Sequence, residues 1–167
     1  MFRNALLLVA LLMAAAPSLR ADDPPEIEHQ PSICTVAGKP MALCGAISDD
    51  AMVAKARLYF RHQKDKFFSY VEMGFTGLQY CGTLPAARAG KAKAVEYYIW
   101  AIDDAYNIKR TSTFNLPVQS EDVCGFAPIE QDAARAAAIT VYATHKDQGR
   151  KLAGEFEPAG VTFVPSR

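Results

Sequence analysis

The chain has 167 residues, 50% of them apolar, and a formal charge of zero from 18 Lys/Arg against 18 Asp/Glu. That suffices for one ordinary domain and falls short of two well-buried ones. The even charge balance excludes a chain built around a strongly basic face, so nucleic acid is not an expected partner.

Met1–Ala21 carries an early cation (Arg3), an apolar run from Ala5 to Ala16 and a polar exit at Leu19-Arg20-Ala21. This is the layout of a secretory signal peptide. The run of about twelve residues is short of the roughly 20 that cross a bilayer as a helix, so no stable membrane insertion is expected. Without residues 1–21 the chain keeps 16 cations and 18 carboxylates, a balance of about −2.

Residues 22–47 are expected to form an N-terminal arm with a cross-linked loop, and 48–167 a helical domain. Asp22–Gln30 is polar and proline-containing and reads as weakly ordered. The four cysteines, Cys34, Cys44, Cys81 and Cys124, are even in number and lack C-x-x-C spacing. In an exported chain this favours disulfides over a metal site. Three connectivities are open. The preferred one pairs Cys34 with Cys44, across Gly38-Lys39-Pro40, and Cys81 with Cys124.

Ser48-Asp49-Asp50 looks like an N-cap with acids in the first turn. Met52, Ala56, Tyr59, Phe60, Phe67, Tyr70 and Val71 then recur at spacings of three, four and seven, which predicts a helix over about 48–73. The rival is two strands, since LYF and FFSYV are rich in β-formers. It needs a turn among Arg61, Gln63, Lys64 and Lys66, without Gly, Pro or Asn to make it, so helix is preferred. A second helix is expected from Ala86 to about Asn107 on the stripe Val95, Tyr98, Ile99 and Ile102. Tyr97 and Trp100 lie off that stripe. This helix is therefore either central to the bundle, the preferred reading, or meets a partner on one side.

Thr111–Val123 reads as a polar loop. Pro128 opens a third helix that continues through Tyr142, Gln148–Phe156 forms a short last one, and VTFVPSR is an extended tail. The expected fold is all-α, a small disulfide-stapled bundle of about four helices.

Catalytic motifs are missing. No G-x-S-x-G, H-E-x-x-H, P-loop or dinucleotide fingerprint occurs, and the histidines His29, His62 and His145 are scattered. Asp103-Asp104 cannot converge on one substrate from a helix, so a buried anchor beside a solvated acid is preferred. His62 is expected to be solvated, and His145 to cap the end of the third helix. The reading is a non-enzymatic protein with no cofactor and no metal.

From Gly77 onward, short motifs fall in a familiar order. Gly77-Leu78-Gln79-Tyr80-Cys81 resembles the short cysteine-ending helix of Rap/Tai-type immunity proteins, small periplasmic helical proteins that protect bacteria against type VI secretion effectors. Tyr97–Ala105 is similar to that family's G-Y-I-x-G-V-x-D-A helix, aligning Tyr98, Ile99 and Asp104. Cys124, Pro128 and Gln131 resemble its C-x-P…Q segment, and Tyr142–Lys146 its Y-L-x-x-H-P-E ending. The likeness spans about residues 74–157. It implies an exported, periplasmic or secreted, immunity-type protein that binds and inhibits a toxin delivered to the periplasm, in the best-known members a peptidoglycan amidase. The candidate contact surface is the Lys109–Asp122 loop, with Arg110, Phe114 and Asn115. The alternative is a periplasmic chaperone or structural accessory of the envelope, and a homodimer stays open.

Overall fold

A computed structural model describes residues 22–119 and 138–166. The signal-peptide segment, Cys124 and the start of the expected third helix lie outside them. The described chain is all-β, which overturns the all-α bundle. Its strands run β1 (Glu26–Glu28), β2 (Thr35–Val36), β3 (Met41–Ser48), β4 (Val53–His62), β5 (Ser69–Glu72), β6 (Gly74–Phe75), β7 (Tyr80–Leu84), β8 (Ala94–Asp103), β9 (Ile108–Arg110), β10 (Phe114–Gln119), β11 (Ile139–Ala143) and β12 (Val161–Val164). A single 3-10 turn at Lys146–Gln148 is the only helical element among the described residues. No helix there is long and apolar enough to cross a membrane.

Two sheets form a sandwich. The smaller has the order β1-β3-β7-β6; the larger runs β12-β11-β5-β4-β8-β10-β2, with β9 also paired to β8. Side chains alternate across a strand with period two, and burial follows that period. On β8, Val95, Tyr97, Ile99 and Ala101 are buried while Glu96, Tyr98, Trp100 and Ile102 are half-exposed. On β4, Ala56, Leu58, Phe60 and His62 point inward. From the smaller sheet, Met41, Leu43, Ile47 and Leu84 join the same core. Two glycines let the layers approach. A Cβ on Gly45 would lie 3.2 Å from Ile99 Cδ1, and one on Gly82 would lie 3.2 Å from Leu58 Cβ.

The helix expected over 48–73 is the β4–β5 hairpin. Its turn is made by Asp65, whose amide donates to the His62 carbonyl at 2.9 Å while its carboxylate accepts from the His62 amide at 3.3 Å. Asp49 does accept backbone N–H bonds, from Ala51 and Met52 at 3.0 Å each. It uses cap chemistry to close a turn between the two sheets, and no helix follows. The second expected helix is β8, preceded by the loop from Pro85 to Lys93. The described part of the third is β11, and the fourth is replaced by the 3-10 turn and an irregular segment reaching Phe156. The tail does extend, as β12. Asp22–Gln30 is not a loose arm, since Glu26–Glu28 pairs with Ala46–Ser48 of β3.

Cys44 bonds to Cys81, its register partner on β7, with the Cα atoms 4.1 Å apart. This replaces the preferred pairings of both cysteines. Cys34 is disulfide-bonded as well. On the chain-entropy model, a bridge across 37 residues contributes roughly 4 kcal/mol. Such a bond is compatible with an extracellular or periplasmic protein.

Candidate functional site

The outer face of the larger sheet carries three ordered rows of side chains. Cross-strand pairing aligns Tyr142, Tyr70, Tyr59 and Tyr98 in one row across β11, β5, β4 and β8. The adjacent row is Glu72, Arg57, Trp100 and Arg110. On the other flank Arg61 and Glu96 stand opposite each other, with Asn115 next to Glu96. All these positions have the parity opposite to the buried residues of the same strands, which is why aromatic rings meet on a surface.

The rings occupy one another. Tyr59 stacks on Tyr98 with centroids 4.8 Å apart at 5°, and Tyr70 on Tyr142 at 5.0 Å and 14°. These separations match the spacing between neighbouring strands, so the rings stand upright on the sheet and turn their edges and hydroxyls outward. The arginines cover further ring faces. Arg57 lies 4.4 Å from the Tyr70 centroid and 5.3 Å from that of Trp100, Arg61 4.4 Å from Phe68, and Arg110 4.8 Å from Tyr98. Such cation–π contacts hold a guanidinium flat at a cost of few free rotamers. Arg57 also pairs with Glu72 at 3.0 Å and Arg61 with Glu96 at 2.7 Å. Arg110 makes no ion pair among the described residues. Burial raises the Tyr98 hydroxyl pKa, aided by Tyr59 and opposed by Arg110. Burial likewise raises that of Tyr70.

The face offers phenol hydroxyls and guanidinium N–H groups over a rigid aromatic floor. Tyr, Trp and Arg are the residue types that dominate protein interfaces. Of the residues expected to bind a partner, Arg110 and Asn115 stand exposed on this face, at the end of β9 and on β10. Phe114 does not. It points inward, 5.3 Å from both the Tyr97 and His29 rings. The expected loop is therefore two strands with a short link. The tyrosine row escaped sequence reasoning because its members were assigned to helices; the i, i+2 recurrence of Arg57-Tyr59-Arg61 and Glu96-Tyr98-Trp100 is the signal that finds it.

The remaining candidates separate. Asp103 is 1% exposed and accepts from the Asn107 amide at 2.7 Å, whereas Asp104 is exposed. One anchors a turn and the other meets solvent, from opposite faces of the chain. His145 caps the start of the 3-10 turn rather than the end of a helix, accepting from the Asp147 amide at 3.1 Å. Its ring stacks on Phe67. His29 closes one end of the sandwich, with Nδ1 2.7 Å from the Cys44 carbonyl and Nε2 2.9 Å from the Tyr97 hydroxyl. That geometry fits a neutral ring donating from Nδ1 to the carbonyl and accepting the hydroxyl proton at Nε2. Burial lowers the His29 pKa, opposed by the Cys44 bond. Burial pushes the Tyr97 hydroxyl up to about 12, opposed by the Ser32 backbone.

His62 is not solvated. It is 5% exposed, and its Nδ1 is buried without a hydrogen-bond partner among the described residues. An orphaned buried polar group costs about 1–3 kcal/mol. One nitrogen of its ring and one carboxylate oxygen from each of Asp65 and Glu155 all lie within 4.8 Å of one another. Burial raises the Asp65 pKa, as does the charge of Glu155. These three are the described residues that could hold a metal.

The sequence matches no known family model and no curated protein. Among solved structures, a chimeric titin Z1Z2 carrying an exogenous peptide from decorin is 21% identical, over 60% of this chain and 99% of that one, at a TM-score of 0.42. The SrpA adhesin of Streptococcus sanguinis is 22% identical, over 71% and 76%, at 0.38. At these scores neither likeness assigns a family or a function, and the sandwich rests on the strand pairing of this chain alone.

Proposed function

We propose that this chain is an exported, non-enzymatic binding domain that holds a protein partner on the outer face of its larger sheet. The observation that carries the proposal is the alignment of four tyrosines in one row beside Arg57, Trp100 and Arg110 in the next. Upright rings and stacked guanidinium groups are ordered before binding, which lowers the ordering cost of association. The partner that fits is rich in carbonyl and carboxylate acceptors. A toxin delivered to the periplasm is the narrower form of the proposal; the helical motifs that suggest it fall on strands here, Tyr80–Cys81 in β7 and Tyr97–Asp103 in β8, so the outer face of the sheet and not the motif likeness carries the reading.

The test is capture of a partner by the oxidised chain from the producing cells, followed by titration with face variants. Tyr98→Ala and Arg110→Ala are each expected to weaken binding at least tenfold, or about 1.4 kcal/mol. Leu78→Ser, at an exposed position before β7, is expected to leave binding unchanged. Equal affinity across all three variants would overturn the assignment of the face. If the captured partner is a cell-wall hydrolase, its inhibition should weaken in step with affinity.

A further inference from the structure

We infer that His62, Asp65 and Glu155 form a site for a divalent transition-metal ion, best matched by Zn2+. Two come from one turn and the third from a distant segment. His62 ends β4, Asp65 makes the β4–β5 turn, and Glu155 lies in the segment between the 3-10 turn and β12. Each is held by backbone before any ligand arrives. The Asp65 amide donates to the His62 carbonyl, and the Glu155 carbonyl accepts from the Arg88 amide at 2.7 Å. The next residue, Phe156, is bridged to Ala87 and packs on Phe60.

Two independent observations converge. The donor atoms cluster within 4.8 Å, and His62 is a buried imidazole whose Nδ1 has no hydrogen-bond partner among the described residues. Nitrogen and oxygen ligands sit about 2.0–2.2 Å from zinc. Two of them on one tetrahedral ion are then roughly 3.5 Å apart, so closure asks the side chains to move by about an ångström. One imidazole with two carboxylates suits zinc or manganese better than calcium, which takes oxygen donors. The ion would also offset the charges of two neighbouring carboxylates, of which Asp65 has the His62 amide as a donor at 3.3 Å.

The position gives the ion a structural task. Asp65 also lines a cleft of about 140 Å3, with Phe67, Gln148, Leu152, Phe156 and Phe163 among its walls. A cation joining Asp65 to Glu155 ties the β4–β5 hairpin to the segment leading into β12 along that cleft. Lys66 and Lys151 border the same cleft, and Arg61 is engaged by Glu96, so the carboxylates face cations outside the triad that a metal must outcompete.

The experiment uses the oxidised full chain, stripped with chelator and titrated with Zn2+, Mn2+ or Ca2+ alone. The expected result is one Zn2+ per chain at micromolar affinity or tighter, a rise of several degrees in Tm, and a shift of the His62 ring nitrogens by NMR. Glu155→Gln and Asp65→Asn, which preserve shape and turn, are each expected to weaken Zn2+ at least tenfold with an unchanged circular dichroism spectrum. Absence of Zn2+ binding, Zn2+ affinity untouched by both variants, or Ca2+ bound as tightly as Zn2+ would each overturn the assignment.

Discussion

The two faces of the larger sheet are built from the same strands and have opposite chemistry. Inward, Leu58, Phe60, Val95, Tyr97, Ile99 and Leu116 are at most 1% exposed and pack against the smaller sheet. Outward, the intervening positions hold Arg57, Tyr59, Tyr98 and Trp100, which pack on one another and on side chains of neighbouring strands and of the β4–β5 turn. Both faces are rich in large rings, so hydrophobicity does not separate them. What separates them is the charge interleaved with the outer rings and the second sheet that covers the inner ones. Inner residues are expected to govern stability, outer ones association.

Three substitutions or conditions probe that division. The largest effect is expected from Ile99→Ala, which empties the space beside Gly45 and should cost about 3 kcal/mol of unfolding free energy in denaturant titration. A loss under 1 kcal/mol would mean that the sheets are not closely packed there. Next, Trp100→Ala should cost no more than about 1 kcal/mol of stability, since its ring is half-exposed, while weakening partner binding well beyond that. If stability falls as far as in Ile99→Ala, the outer face belongs to the core and the contrast fails.

The smallest effect concerns His29, the polar clasp between Cys44 and Tyr97. Its folded pKa is depressed below the ordinary 6.5 by burial. Between those two values the unfolded chain binds more protons than the folded one, so stability rises with pH there. The contribution is complete above about 6.5, is lost as pH falls through the depressed folded value, and is constant below it. A Tm profile across that window should flatten in His29→Gln; an unchanged slope would assign the dependence to other groups.

Why the strands read as helices follows from the same two-sided chemistry. Val95, Tyr98, Ile99 and Ile102 satisfy a spacing of three and four, yet Val95, Tyr97, Ile99 and Ala101 satisfy a spacing of two equally well. When both faces of a strand carry apolar or aromatic residues, alternation disappears from the hydropathy pattern. The run Ala86–Lys93 is rich in good helix formers, but it is spent on the loop that carries the bridge from Ala87 to Phe156. Asp49 and Asp65 were visible as polar residues with local hydrogen-bonding capacity. Whether that capacity starts a helix or closes a turn depends on where the next segment packs.

The sequence by itself determined the proportions of one modest domain, the charge balance, the expectation of disulfides and the absence of catalytic motifs, because these follow from counts and local spacing. It also named Arg110 and Asn115 as candidates, and both prove to be exposed. Tertiary structure alone decided the fold, the Cys44–Cys81 pairing, the tyrosine row and the meeting of His62 with Asp65 and Glu155. Each of these depends on register between distant strands, and register is set by which face of a strand a second sheet comes to cover.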